Sequence, residues 1–256
     1  MENQPGVQSL ERAFDLIENL SLNPDGMQLM ELSAATGLHK STVHRLLASL
    51  AALGYIKKDE NTGKYRLTLK LFELSGRVVD SIDVLEIAKA PLEQLRNTTQ
   101  EAVHLVVREG IDIVYVHKVD SKNSSIRMFS RIGMRRPMYC TAVGKSILAT
   151  MSDEEVMRIW ERSNIIRYTQ HTIVDLGSLF RELDEIRRRG YALDNEENEL
   201  GVRCIGAAVL DYTGRGRAAL SISAPIGRMT DERIQVLAAD ILAARAWISA
   251  EMGYKQ

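Results

Sequence analysis

Residues 36–55 read TGLHKSTVHRLLASLAALGY, and two faces can be drawn from them. Val43, Leu46, Leu47 and Leu50 recur at i, i+3, i+4 and i+7, the apolar face of an amphipathic helix. Ser41 or Thr42 is placed to cap its start, and Gly54 to end it in the left-handed conformation. Packing explains that face. It does not explain the other, where His39, Lys40, Ser41, Thr42, His44 and Arg45 gather at the N-terminal end. A solvated surface is the commonest meaning of charge on a helix, so the neighbourhood has to decide.

Upstream, MQLMELSAATG (27–37) reads as a short helix with Leu29, Leu32 and Ala35 inward, stopped at Gly37. Before it, SLERAFDLIENLS (9–21) places Leu10, Phe14, Ile17 and Leu20 on one side of another helix. Downstream, YIKKDENTGKYRLTL (55–69) alternates as two short strands around Asn61-Thr62-Gly63, a hairpin signal. Three helices and a hairpin describe a winged helix-turn-helix. Charge agrees. Residues 39–70 carry seven Lys or Arg (40, 45, 57, 58, 64, 66, 70) against two acids (59, 60), a formal +5. Residues 1–38 carry Arg12 against six acids (2, 11, 15, 18, 25, 31), a formal −5, so the total of −1 hides the asymmetry. A basic helix followed by a basic wing (Lys57, Lys58, Lys64, Arg66) is the electrostatic footprint of a DNA reader.

The chain of 256 residues is too long for a reader of ~70 residues alone, so a second domain is expected. With 45% hydrophobic residues it can bury a core. No run approaches the ~18 apolar residues of a membrane span, and MENQPGVQS lacks a basic-then-apolar signal pattern, so the expected compartment is the cytoplasm. Cys140 and Cys204 stand far apart, which excludes a disulfide scaffold and fits a reducing environment.

Domain boundaries follow the pattern: a reader over 1–69, a linker helix over 70–83, and a second domain over 84–256. In the linker, Leu71, Leu74, Val78, Ile82 and Leu85 recur at alternating three- and four-residue steps, a seam that either packs on its own domain or pairs with its copy in a dimer. Pairing is favoured, because a single small reader covers few base pairs. Beyond it come a helix offset at Pro91 and a hairpin of EAVHLVVREG and DIVYVHKVD turning at Gly110. The alternating SIRMFSRIG follows, with helices near 142–150, 152–162 and 175–189. Strands at 191–195, 203–211 and 217–224 precede a last helix at 230–251. The class is α+β with a largely antiparallel sheet.

The stretches GVQSLERAFDLIENLS, LHKSTVHRLLASLAALGYI, YRLTLKLFELS, TAVGKSILA, ENELGVRCIGAAVLD and AALSISAP occur in that order over nearly the whole chain. In this they resemble the IclR family of bacterial transcriptional regulators. LTLKLFELS, YVHKVDS, RMFSRIGMRRPMYCTAVGK and DNEENELGVRCI are most similar to the family's 2-keto-3-deoxygluconate regulators. The resemblance implies a winged helix-turn-helix, a linker helix and a GAF-like or profilin-like effector domain with a curved antiparallel sheet. It also implies homodimers, often paired into homotetramers, on a near-palindromic operator, most often as repressors. The family's effector pocket maps onto Met128, Arg136, Ala142, Val143, Val202, Cys204, Ser221 and Ser223. The guanidinium of Arg136 either suits an acidic sugar derivative or turns to solvent beside Arg135.

The residues themselves support part of that pocket. Thr141-Ala142-Val143-Gly144 opens a helix with small side chains, leaving backbone N–H groups at a positive helix end where a carboxylate is favoured. Ser221 and Ser223, two apart, share a strand face and either meet a ligand or bond to backbone. Other motifs fall away. AVGKS lacks the first glycine of a phosphate-binding loop, since Tyr139 stands there. Asp194, Glu196, Glu197 and Glu199 lack calcium-site spacing and read as a solvated loop. His104, His117 and His171 have no partner at metal-ligand spacing. No nucleophile with a base appears, so no enzyme, cofactor or metal is expected. A redox- or metal-sensing regulator, or less plausibly an enzyme fused to a DNA reader, is the alternative. The expected mechanism is a two-fold dimer with recognition helices roughly 34 Å apart in successive major grooves, repositioned when a small carboxylate or sugar acid such as 2-keto-3-deoxygluconate binds.

Overall fold

The computed structural model describes residues 7–74, 83–121 and 130–255. The chain divides into two compact units, Met1–Ser81 and Ile82–Gln256.

In the first unit, α1 (Gln8–Leu22), α2 (Leu29–Thr36) and α3 (Lys40–Ala52) precede a hairpin of β1 (Ile56–Lys58) and β2 (Tyr65–Leu67). Leu16, Leu20, Leu32, Val43, Leu47, Leu50, Ile56 and Tyr65 close one core between them. Gly37, at φ 67°, ends α2 and makes the tight turn into α3. The hairpin loop is tied by Asp59, whose carboxylate accepts the backbone N–H groups of Asn61 and Thr62 at 3.0 and 2.9 Å. Those bonds hold its pKa below the ordinary carboxylate value. A further helix, α4, begins at 70 and is described to 74. Val78 and Ile82 of the linker seam lie outside the described residues.

Three local expectations need correction. Helix α3 starts at Lys40 with His39 as its N-cap, so Ser41 and Thr42 lie inside it and do not cap it. On α1, Leu10 and Phe14 are 57% and 52% exposed, while Leu16 takes the core position. Ala35 of α2 is exposed, and Leu32 is that helix's one fully buried side chain. The last two share a cause: which flank of an apolar stripe meets the core depends on where its neighbours sit.

In the second unit, α5 (Asp83–Thr99) leads into β3 (Ala102–Glu109) and β4 (Asp112–Val119), then β5 (Arg135–Pro137). Next come α6 (Ala142–Leu148), α7 (Asp153–Arg162) and α8 (Leu176–Arg189). The strands β6 (Ala192–Asn195), β7 (Val202–Leu210) and β8 (Gly216–Pro225) follow, a 3₁₀ turn covers Ile226–Arg228, and α9 (Asp231–Glu251) closes the chain. The sheet runs β5-β4-β3-β8-β7-β6, every pairing antiparallel. The α+β class and antiparallel sheet expected from the sequence are what the chain forms. Helix α5 continues through Pro91. The expected SIRMFSRIG pattern falls largely on 122–129, outside the described residues.

Strand alternation sorts the sheet's two faces. Val106, Ile113, Ala208 and Ala219 join the core under α6, α7 and α8, while α5 and α9 pack together against the sheet. Two glycines fix how α6 lies. A Cβ on Gly206 of β7 would come within 2.9 Å of the Ala142 carbonyl carbon and the Val143 nitrogen, so the start of α6 rests directly on the sheet. A Cβ on Gly144 would meet Met138 backbone at 2.4 Å. The glycine of AVGKS is thus a close-packing residue.

Candidate functional site

Register brings the site together. Gly206, Ser221 and His104 form one row across β7, β8 and β3, and Cys204 and Ser223 pair in another. The first turn of α6 closes the space over these rows, and Thr141 Oγ1 caps that helix by accepting the Gly144 N–H at 3.1 Å. The result is a small cavity of about 40 Å³ that opens to solvent on one side. Arg136, Ala142, Val143, Val202, Cys204, Ser221 and Ser223 all line it. Met128, the remaining expected residue, lies outside the described residues.

Sequence reasoning missed His104, Tyr115, Asp194 and Asn198, which line the same cavity, as does Thr141 of the expected helix start. His104 had read as an isolated histidine. Its ring is buried, with Nε2 at 2.8 Å from Ser130 Oγ and Nδ1 at 3.3 and 3.4 Å from Ser221 and Ser223 Oγ. The two serines therefore meet a histidine rather than backbone. Tyr115 stands edge-on to that ring, centroids 5.4 Å apart. Burial, with Lys118 nearby, lowers the His104 pKa to about 3, so the ring is neutral. One polar residue in the apolar run AVHLVV was a signal. Its partners were not, because strand pairing is not written in one strand.

The acidic stretch also needs correction: it is not a solvated loop. Asp194 and Glu197 are 4% and 6% exposed. Asp194 accepts backbone N–H groups of Glu197 at 2.7 Å and Asn198 at 3.3 Å. Desolvation, then the neighbouring Glu197, push its pKa up to about 7. Glu197 pairs with Lys145, itself 1% exposed, and Glu182 lies 3.7 Å from the same ammonium. Thr169 and Thr172 clamp the loop by donating to the Glu196 and Glu197 carbonyls, both at 2.6 Å. Lys145 thus anchors a cavity wall. It is in no position to serve as a phosphate lysine.

Arg136 is half-buried on the cavity and has no carboxylate partner among the described residues, whereas Arg135 pairs with Glu109. Asn198 Oδ1 is buried there without a hydrogen-bond partner. Cys140 and Cys204 are both free thiols. Burial, and next the charge of Asp194, raise both pKa values, which keeps them protonated and poorly nucleophilic. Among the described residues no group of three His, Cys, Asp or Glu side chains is arranged to hold a metal ion. None of the described helices is long and apolar enough to cross a membrane.

In the first unit, His39, Lys40, Ser41, His44 and Arg45 are exposed at the start of α3, and Lys57 and Lys58 are exposed on β1. Thr42, Lys64 and Arg66 are half-buried, the stem of Arg66 lying over Gly26.

A winged helix-turn-helix joined to a unit with a cavity beneath a helix start has the architecture of a DNA-binding transcription regulator with an effector domain. Residues 9–60 match the IclR helix-turn-helix domain, and residues 76–250 match the bacterial transcriptional regulator IclR C-terminal domain. The chain belongs to the IclR family. It is 40% identical over 255 residues to the HTH-type transcriptional regulator KdgR of Escherichia coli K12, covering 99% of this chain and 96% of that protein. It is 37% identical to the DNA-binding transcriptional repressor YiaJ of Escherichia coli K12, covering 99% of this chain and 90% of that one. The Thermotoga maritima IclR crystal structure superposes with a TM-score of 0.84 at 32% identity, covering 97% of this chain and all (100%) of the other. These relatives are transcriptional regulators, not enzymes, and so is this chain.

Proposed function

We propose that the chain is a repressor released from a near-palindromic operator when a small carboxylate, a sugar acid such as 2-keto-3-deoxygluconate, fills the cavity beneath α6. One observation carries this reading: seven residues from β5, α6, β7 and β8, distant in sequence, converge on one cavity. The ligand's carboxylate lies against Ser221, Ser223 and the N–H groups of Ala142 and Val143, with Arg136 supplying charge. Asn198 Oδ1 accepts a hydrogen bond from a hydroxyl of the sugar chain, which answers its lack of a partner. Similarity to the repressor YiaJ supports the sign of regulation.

On DNA, His39, Lys40, Ser41, Thr42, His44 and Arg45 enter the major groove from α3, while Lys57, Lys58, Lys64 and Arg66 meet phosphates from the wing. Two readers come from a homodimer, which pairs further into a tetramer. Leu10 and Phe14, four apart on α1, and Leu69 and Phe72 leave apolar surface exposed in the reader unit for that contact. The protein works in the cytoplasm, where its operator is. The reading is tested by melting the full chain with a panel of sugar acids and short keto acids. A true effector at a hundred times its Kd stabilises by about 2.7 kcal/mol and loosens operator binding in a gel shift. An acid that raises Tm while leaving operator affinity untouched would refute the coupling.

A further inference from the structure

We propose that His104 is a positioning residue that turns the hydroxyl protons of Ser221 and Ser223 into the cavity, by carrying its own ring proton on Nδ1. The inference rests on reading the cavity as a site for an organic anion. An anion needs donors, and each serine hydroxyl has a single proton to give. If Nδ1 were a bare lone pair, a serine would spend that proton on the ring and present only oxygen lone pairs to the ligand. With the proton on Nδ1, both serine oxygens accept from the ring, and both O–H bonds can turn to one carboxylate, that of Ser223 leaving its hydrogen bond to the Cys204 sulfur.

The distances favour that arrangement. Among the described residues Nε2 has one partner, Ser130 Oγ, at 2.8 Å, the length of a simple O–H···N bond from Ser130. Nδ1 has two partners at nearly equal and longer distances, 3.3 and 3.4 Å, as in one N–H shared between two acceptors. The ring carries only one proton, because burial and Lys118 oppose a second, so the two nitrogens must differ in role. Lys118 itself faces Asp120 at 2.9 Å and donates to the Ser130 carbonyl at 3.1 Å. Tyr115, across the ring, is held protonated by burial. Cys204, paired in register with Ser223, keeps its thiol proton and so adds no charge beside the serines. Gly206, beside Ser221 in the row, adds no side chain to compete for its hydroxyl.

The test begins without ligand. In the full chain labelled with ¹⁵N-histidine, His104 is assigned among five histidines by its loss in His104→Asn. Its ring nitrogens should report a neutral Nδ1–H tautomer that does not titrate down to about pH 5; an Nε2–H ring would overturn the inference. Calorimetry with 2-keto-3-deoxygluconate as probe follows. His104→Leu should weaken binding about tenfold or more, whereas His104→Asn, whose amide can donate where Nδ1 stood, should stay within about threefold. Equal losses in the two variants, or none in His104→Leu, would contradict a positioning role. If the wild type binds none of the acids tested, the functional reading fails and takes this inference with it. If it binds one while His104 is the Nε2–H tautomer, only the inference falls.

Discussion

Replacing Lys145 with Met removes the cation beneath the cavity's acidic wall and keeps the side chain's bulk. Lys145 is the largest fully buried side chain, 1% exposed, and its ammonium sits against Glu197 with Glu182 at 3.7 Å. Breaking a buried pair by deleting one member leaves the other charge uncompensated, at a cost of about 3–5 kcal/mol. For a unit of this size each kcal/mol lowers Tm by roughly 2–4 °C, so the transition should fall by about 6–20 °C. The sign with pH is fixed. Glu197 and Asp194 already have raised pKa values in the folded chain, and Lys145 is what restrains the rise. Without it both rise further. A carboxyl whose folded pKa is raised weakens the fold as pH climbs above its unfolded value, 4.5 for Glu197 and 3.8 for Asp194. The penalty should therefore be small near about pH 4 and should still be growing as pH passes about 7, where Asp194 begins to ionise in the wild type. Adding Glu197→Gln should recover most of the loss. Scanning calorimetry at several pH values measures all of this. A Tm drop under about 2 °C at neutral pH, or no recovery in the double variant, would refute the account of this wall.

The site and the reader carry the other expectations. Removing either serine hydroxyl should cost about 1–3 kcal/mol of effector affinity by calorimetry, as for bonds to a charged acceptor. Asp194, with a pKa of about 7 on the cavity wall, repels an anion when ionised. Affinity should thus fall as pH rises through 7, by up to about tenfold per unit, and Asp194→Asn should flatten that slope. Arg45→Ala should weaken operator binding by about 1–3 kcal/mol in a gel shift without changing the melting profile. Replacing Lys57 and Lys58 should instead lower affinity for all DNA and flatten its salt dependence.

Much of this fold could be read from periodicity. Glycines at 37, 54 and 110, each at positive φ, mark turns that a single sequence displays. Helix boundaries in the second unit fell within about two residues, because strong caps such as Ser152 and Thr230 stand at their starts. The short strand Arg135–Pro137 was not read, since three residues ending in proline carry no alternation. Ser221 and Ser223 stood out by sharing a strand face with apolar neighbours. Asp194 and Glu197 did not, because a cluster of acids looks solvated until Lys145, 52 residues from Glu197, is known to lie beneath it. His104 and the serines are likewise 117 and 119 residues apart and meet only through the β3–β8 register. Local chemistry was written in the sequence, but long-range pairing was not.

In the proposed mechanism, acid in the cavity and operator on the reader oppose each other. That opposition is measured most directly by titrating 2-keto-3-deoxygluconate into the full chain bound to a fluorescent operator selected from random DNA, and then into the chain alone. The account predicts that the acid releases the wild type, that operator weakens acid binding by the same factor, and that Ser221→Ala with Ser223→Ala stays on the DNA throughout. Release of the double serine variant at the wild-type acid concentration, or acid binding that is indifferent to operator, would contradict it.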